Sequence, residues 1–255
     1  TGRRKLDERQ PSIGSWTSYG LGTLNENLPQ FVVLGGPTRA DTRESFQGNY
    51  LGPRHDGVPL NLDGEALPFG RRPAAVALQE QKHEFELIEK LNGLAGVEDP
   101  SNDALRARIR AYELAYRMQS AVPDVLDLNQ EPASIRALYG IDDPATRVAA
   151  RRCLAARRLV ERGVRFVQLY PTPYGSWDSH AQLKTNHTRL CGQIDRPVAA
   201  LIKDLKARGL LQDVVVVFCT EFGRTPGMET RGGSKEGRDH HPHGFSVSFA
   251  GAGIK

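Results

Sequence analysis

The chain has 255 residues, enough for one large domain or two small ones, and its 39% hydrophobic and 25% charged residues are typical of a globular protein. The net charge of +4 is spread along the predicted helices and aromatic residues make up 7%, so nucleic-acid binding is not predicted. No apolar run reaches the length of a membrane span, and three widely spaced cysteines do not indicate a disulfide framework.

Residues 1–78 are predicted to contain a short helix, a strand and a long irregular loop. Ser12 is placed to cap a short helix over residues 13–21, which Gly22 would end. The apolar run 31–34 predicts a strand, and it leads into glycine and proline. Residues 36–77 lack periodicity, so we expect a long irregular loop.

Residues 79–140 are predicted to be helical. Apolar residues recur at helical spacing over 79–94 and 102–121, and shorter helices are expected at 123–128 and 132–138. The sequence assigns no chemistry to this segment, and His83 within it is interpreted as a surface or packing residue.

Residues 141–255 alternate helices and strands. A helix is predicted from Asp143 to Arg162, with Pro144 in its first turn and Gly163 at its end. The predicted order continues with a strand over 164–170, a helix over 183–208, and strands over 214–219 and 245–250. This alternation indicates an α/β fold with a mostly parallel sheet between helices, and the apolar run 214–219 predicts a strand covered on both faces. We treat residues 1–255 as a single partial domain made of the parts 1–78, 79–140 and 141–255.

Acids and histidines gather just after two of the predicted strands. Asp178 and His180 follow the strand over 164–170, where an extended backbone would point both side chains the same way. Ligands of open α/β sheets bind beyond the carboxyl ends of the strands, so this position suits a metal site. Carboxylate and imidazole ligands favour zinc, manganese or iron over calcium, although calcium is kept as an alternative divalent ion.

The second group follows the strand over 214–219. Asp239 and His240 are adjacent, which suits either a bridge between two metals or one ligand beside its hydrogen-bonding partner. Glu221 is a candidate ligand or catalytic base, and Arg224 is a candidate clamp for a phosphate or sulfate oxygen. His241 and His243 offer further imidazoles. Each motif alone is compatible with a turn, a cap or a surface ion pair, and only their shared place at strand ends favours a joint site.

These motifs are similar to those of a known bacterial family, the domain of unknown function 1501. The resemblance covers essentially the whole chain and is carried by residues 157–168, Trp177-Asp178-Ser179-His180, Glu221-Phe222-Gly223-Arg224-Thr225-Pro226 and Gly237-Arg238-Asp239-His240.

The resemblance implies a sulfatase-like member of the alkaline-phosphatase-like superfamily. Its fold would be a three-layer α/β/α sandwich, and its reaction the metal-dependent hydrolysis of a phosphate or sulfate ester, so an anionic small molecule or glycan ester is the expected substrate. The metal ligands implied are Asp178, His180, Asp239 and His240. Whether Glu221 or the pair Asp239–His240 fills the second metal position is left open. The family likeness also favours a periplasmic or secreted location.

The termini predict an internal piece of a longer protein, because the chain opens without methionine and stops just after a strand-like run. On that interpretation the nucleophile would precede Thr1, a further histidine would follow Lys255, and the piece could be inactive alone. The competing hypothesis is a non-catalytic module that binds anionic glycans or a protein partner. A mutase of the same fold is a third alternative, for which residues 79–140 would have to act as a cap. The sequence does not predict an oligomeric state.

Overall fold

A computed structural model describes residues 9–36, 45–67, 75–98, 103–173, 175–220, 222–229 and 236–254. These residues divide into two compact units, Thr1–Leu128 with Arg158–Leu169, and Asn129–Arg157 with Tyr170–Lys255. The structure is mixed α/β, with six α-helices among the described residues. None of the described helices is both long enough and apolar enough to cross a bilayer.

The first unit is built on a parallel sheet. Strand β1 (Phe31–Leu34) lies between β2 (Val58–Leu60) and β3 (Phe166–Leu169), with Val32 opposite Val58 on one side and Val167 on the other. All four β1 residues are buried, as expected for a central strand of a parallel sheet. The prediction of a strand at 31–34 is therefore confirmed, and the strand over 164–170 is found with shorter bounds.

A helix precedes the first strand of this sheet, and further helices lie between its second and third strands in the sequence. Helix α1 (Ile13–Leu21) begins at Ser12, whose Oγ accepts a hydrogen bond from Ser15 N at 3.1 Å. Helices α2 (Leu78–Glu98) and α3 (Asp103–Leu126) contact each other through the stacked rings of Phe85 and Tyr116.

The separate helix expected at 123–128 is not found. Helix α3 runs on through Pro123 to Leu126, because Val122 and Val125 on either side of the proline are fully buried. A proline removes one helical hydrogen bond near the end of the helix, and this burial outweighs that loss. The carbonyl oxygens of Asp124 and Val125 then accept hydrogen bonds from the Arg158 guanidinium at 2.9 and 2.7 Å.

The second unit contains helices α4 (Ala133–Tyr139) and α6 (Leu183–Ala207), which contact each other, and most of helix α5 (Arg147–Glu161). Helix α6 has nearly the bounds predicted from the sequence. Helix α5 begins later than expected, because residues 143–146 form a turn in which Asp143 accepts hydrogen bonds from the backbone of Ala145 and Arg147.

A buried ionic cluster joins these helices. It consists of Arg157, Glu131, Asp204, Tyr139 and Arg208. Arg157 lies 2.6 Å from the Glu131 carboxylate and 3.0 Å from that of Asp204, and its side chain is only 1% exposed. Tyr139 donates a hydrogen bond of 3.0 Å to Asp204, and burial together with the Asp204 charge raises the pKa of Tyr139. The cluster therefore holds each buried charge against an opposite one.

The strands of the second unit form two antiparallel pairs. Strand β4 (Val216–Cys219) pairs with β7 (Val247–Ala250), and β5 (Gly223–Arg224) pairs with β6 (His240–His241). This antiparallel pairing of β4 with β7 departs from the mostly parallel sheet that the alternation of helices and strands predicted. Parallel strands are joined by a crossover of a dozen or more residues, which is usually an α-helix. The described residues between β4 and β7 contain no helix.

Strand β4 also differs from its prediction in burial. Its apolar run was expected to be covered on both faces, but Val217 and Phe218 are 49% and 40% exposed. The β-branched composition correctly indicates a strand. It carries no information about which element covers the strand.

Candidate metal centre

The first part of the site is the loop that follows residue 169. A turn at Gly175, which has a φ of 79°, lets Asp178 N donate to the Gly175 carbonyl at 3.1 Å. The Trp177 indole nitrogen donates to Thr172 Oγ1 at 2.9 Å, and His187 on α6 contacts the Trp177 carbonyl at 3.2 Å. These contacts fix the backbone on which Asp178 is carried.

The second part of the site is the β5–β6 ribbon. Arg224 lies directly opposite His240 in this antiparallel pair, so their side chains stand on the same face. Thr225 N donates to the Asp239 carbonyl at 2.8 Å, and Asp239 N donates to Thr225 Oγ1 at 3.2 Å. Two short strands thus bring together residues that are 16 positions apart in the sequence.

Three of the predicted residues converge on one carboxylate oxygen of a fourth. Oδ1 of Asp178 lies 3.0 Å from Nε2 of His180 and 3.1 Å from Nε2 of His240, and it accepts a hydrogen bond from the Arg224 guanidinium. Potential ligand atoms of Asp178, His180 and His240 all lie within 4.8 Å of one another. The sequence-based grouping of Asp178, His180, His240 and Arg224 therefore corresponds to one place in the structure.

Asp239 faces a neighbouring position. It groups with His180 and Glu229, again with ligand atoms within 4.8 Å of one another. Its Oδ1 also accepts a hydrogen bond of 2.8 Å from His240 N. The adjacent residues Asp239 and His240 thus belong to two overlapping groups that share His180, an arrangement compatible with either of the two roles predicted for this pair.

Glu229 is the member of the site that the sequence interpretation missed. Its Oε2 lies 2.6 Å from Nδ1 of His180, and its side chain is only 7% exposed. Glu229 N donates to the Gly237 carbonyl at 2.8 Å, which ties it to the start of the segment carrying Asp239. A signal was available, because Glu229 is a carboxylate in the same loop as the other candidates, but nothing in its spacing distinguished it.

Gly237 is required by a close approach of two backbones. A Cβ atom at this position would lie 1.7 Å from the carbonyl oxygen of His180. Leu183 N also donates to the Glu236 carbonyl at 3.1 Å. The two site segments therefore touch backbone to backbone, which any side chain at position 237 would prevent.

The electrostatics of the site favour the charged forms of Asp178 and His180. Hydrogen bonds from Arg224 and His240 lower the pKa of Asp178 to about 2, so this carboxylate is ionised at neutral pH. The hydrogen bond with Glu229, assisted by the negative charges of Asp178 and Glu229, raises the pKa of His180 above its ordinary 6.5. The carboxylates beside His180 thus favour a positive charge on its ring in the metal-free protein.

The donor set fits a divalent cation. Carboxylate oxygen and imidazole nitrogen are the ligands of zinc, manganese and iron sites, and the first group provides one carboxylate and two imidazoles. The side chains of Asp178, Glu229, Asp239 and Arg224 carry a net charge of −2 when the histidines are neutral. A divalent ion would balance that charge. Asp178 is 46% exposed, so an ion has access to the first group from solvent.

The other candidates lie elsewhere or outside the description. Glu221 is not among the described residues, so its predicted role as ligand or base stays a prediction. The ring centroids of His241 and His243 lie 6.0 Å apart, and neither residue belongs to either ligand group. His55, which the sequence did not place, is buried in the first unit, where its Nδ1 lies 2.9 Å from Ser18 Oγ.

A family model described as "Protein of unknown function (DUF1501)" matches residues 1–255. The chain belongs to the DUF1501 family. No curated protein and no solved structure matches this DUF1501 chain. The family membership predicted from the motifs is therefore confirmed, while the name of the family states no reaction.

Proposed function

We propose that this DUF1501 protein is a metal-dependent hydrolase of phosphate or sulfate esters, related to the sulfatase-like branch of the alkaline-phosphatase-like superfamily. The observation that carries the proposal is the convergence of His180, His240 and Arg224 on one oxygen of Asp178. A metal ligand set beside a guanidinium is the combination needed to bind an ester that carries negative charge. The three-layer sandwich with a mostly parallel sheet belongs to this proposal as its expected fold.

Asp178, His180 and His240 would hold the ion through one carboxylate oxygen and two imidazole nitrogens. When bound, the ion would act as a Lewis acid that polarises an ester oxygen and stabilises the charge that develops there. Asp239, one residue from His240, is placed either to complete the same coordination or to serve a second ion together with His180. The structure is compatible with both arrangements.

Arg224 would bind the anionic substrate. Its guanidinium hydrogen-bonds Asp178 and the Arg238 carbonyl, so it is held at the edge of the ligand group. A guanidinium binds two oxygens of a phosphate or sulfate group with parallel hydrogen bonds. Because the same side chain contacts Asp178, the arrival of the anion would exchange one negative partner of Arg224 for another and leave Asp178 to the metal.

The test is metal content followed by turnover. The purified protein and the double variant Asp178→Ala/Asp239→Ala are loaded with zinc or manganese, freed of excess metal and analysed for bound metal. The matched control is Asp195→Ala/Asp213→Ala, which removes two exposed carboxylates of the same unit. We expect metal in the wild type and the control only. Equal metal content in all three proteins would refute the proposal.

Metal-loaded protein is then assayed with aryl phosphate and aryl sulfate esters. Hydrolysis that requires the metal and disappears in Arg224→Ala supports the proposed reaction. Metal and anion binding without any turnover would instead support the competing function, a non-catalytic module that binds anionic glycans or a protein partner.

A further inference from the structure

His180 is held between two carboxylates, one at each ring nitrogen. Nε2 faces Oδ1 of Asp178 at 3.0 Å, and Nδ1 faces Oε2 of Glu229 at 2.6 Å. A neutral imidazole has one protonated nitrogen and one nitrogen with a free lone pair, so the two positions require different chemistry. The proton position on this ring decides which nitrogen is available as a ligand.

The two carboxylates differ in their access to an ion. Asp178 is 46% exposed and already lies beside a second imidazole, that of His240. Glu229 is 7% exposed, and its backbone nitrogen is bound to the Gly237 carbonyl. The exposed side of His180 is therefore the side from which an ion arrives, and the buried side is the one suited to a permanent hydrogen bond.

The backbone contact at Gly237 keeps the Glu229 carboxylate beside the His180 ring. Gly237 packs directly against the carbonyl of His180, and Glu229 is hydrogen-bonded to Gly237. The carboxylate is consequently tied to the same backbone that carries the imidazole. A hydrogen bond built in this way orients the ring as well as setting its proton.

We propose that Glu229 is a positioning residue that accepts the Nδ1 proton of His180 in a hydrogen bond and so presents Nε2 to the metal. The inference rests on the metal site of the proposed function and adds a residue to it. Carboxylates that hydrogen-bond a metal-ligating histidine fix its tautomer and raise its basicity, and their loss lowers metal affinity by about 10–100-fold. Direct ligation of an ion by Glu229 is the alternative, since Glu229 also groups with His180 and Asp239. Neutral His180, however, can ligate through only one nitrogen.

The experiment measures zinc affinity and stoichiometry by calorimetry for the wild type, Glu229→Gln and Glu229→Leu. Glutamine keeps an acceptor oxygen opposite Nδ1, whereas leucine fills the buried space without one. Met228→Ala is the matched control, because it shortens the neighbouring, 72% exposed side chain in the same loop. We expect the leucine variant to bind zinc about 10–100-fold more weakly. The glutamine variant and the control are expected to stay close to the wild type.

A spectroscopic measurement reports the tautomer directly. In the zinc-loaded wild type, ¹⁵N NMR of labelled histidines should show Nδ1 of His180 protonated and Nε2 bound to metal, with the resonances assigned by loss in His180→Asn. A zinc-loaded wild type with metal on Nδ1 would overturn the inference even if the leucine variant fails to fold.

The remaining outcomes separate the two proposals. No binding of zinc or manganese by the wild type refutes the proposed function. Unchanged zinc affinity in Glu229→Leu refutes the positioning role and leaves the metal site intact. A fall in stoichiometry from two ions to one in both Glu229 variants would overturn positioning in favour of direct ligation.

Discussion

Two clusters of charged side chains in the second unit use similar groups in opposite surroundings. The buried ionic cluster pairs Arg157 and Arg208 with Glu131 and Asp204, so guanidinium and carboxylate charges balance. The site cluster around Asp178 is partly open to solvent, and acidic side chains outnumber its single arginine. Burial and charge balance, rather than residue type, distinguish the buried structural cluster from the cluster that we propose to bind an ion.

The largest expected effect is on the stability of the buried ionic cluster. Arg157→Ala would remove the buried guanidinium between the carboxylates of Glu131 and Asp204 and leave them with the partly exposed Arg208, which should cost about 3–5 kcal/mol of unfolding free energy. Chemical denaturation measures it. If this cluster has only a structural role, the fraction of the variant that stays folded binds zinc with wild-type affinity. A loss below about 1 kcal/mol would contradict the structural role of this cluster.

The next effect is on binding at the site cluster. Asp178→Ala removes the oxygen on which two imidazoles converge, so zinc affinity should fall by more than the roughly 10–100-fold typical of losing a supporting residue. The unfolding free energy should change by less than about 1 kcal/mol, because the ion pairs of Asp178 are partly exposed. Calorimetry and denaturation of the same sample test both parts. Strong destabilisation with intact binding would reverse the assignment of the two clusters.

The dependence on pH sharpens the same contrast. A ligating histidine must be neutral, and the pKa of His180 lies above 6.5, so zinc affinity should keep rising as the pH increases beyond 6.5. The metal-free protein should behave oppositely. A raised histidine pKa contributes stability that is complete below 6.5 and is lost as the pH rises through the pKa in the folded protein. Zinc titrations and thermal unfolding between pH 5 and about 9 check the two opposite signs, and His180→Asn should flatten both profiles.

The smallest expected effect concerns Arg224. Without an anion, Arg224→Ala should raise zinc affinity up to about fivefold, since it removes a competing cation from Asp178 and a partly exposed ion pair contributes up to about 1 kcal/mol. Sulfate should increase zinc affinity in the wild type and have no such effect in the variant. Arg189→Ala, an exposed arginine on α6, is the control. Weaker zinc binding by Arg224→Ala in the absence of sulfate would contradict this competition.

Sequence reasoning succeeded where the information is local. The bounds of α6 and the position of β1 follow from apolar spacing and from the residues that end each run. The cap at Ser12 has the same kind of origin. Residues 178 and 180 were grouped with residues 224 and 240 because both groups follow predicted strands.

The predictions failed where distant parts of the chain decide the outcome. The antiparallel pairing of β4 with β7 depends on the path of the intervening loop, which no periodicity encodes. The helix continues through Pro123 because neighbouring valines are buried by tertiary packing. Glu229 contacts a histidine 49 residues away in the sequence. The two residues meet because the backbone at Gly237 packs against that of His180, which the sequence pattern does not predict.

The close approach at Gly237 has a consequence for how this sequence can vary. A library randomised over residues 237 and 238 and selected for zinc binding would accept a range of residues at position 238 and return glycine at position 237. Position 237 thus constrains evolutionary drift of the site even though it bears no functional group. Gly237, which has no side chain, therefore limits which mutations this loop tolerates as strictly as the acids and imidazoles of the site do.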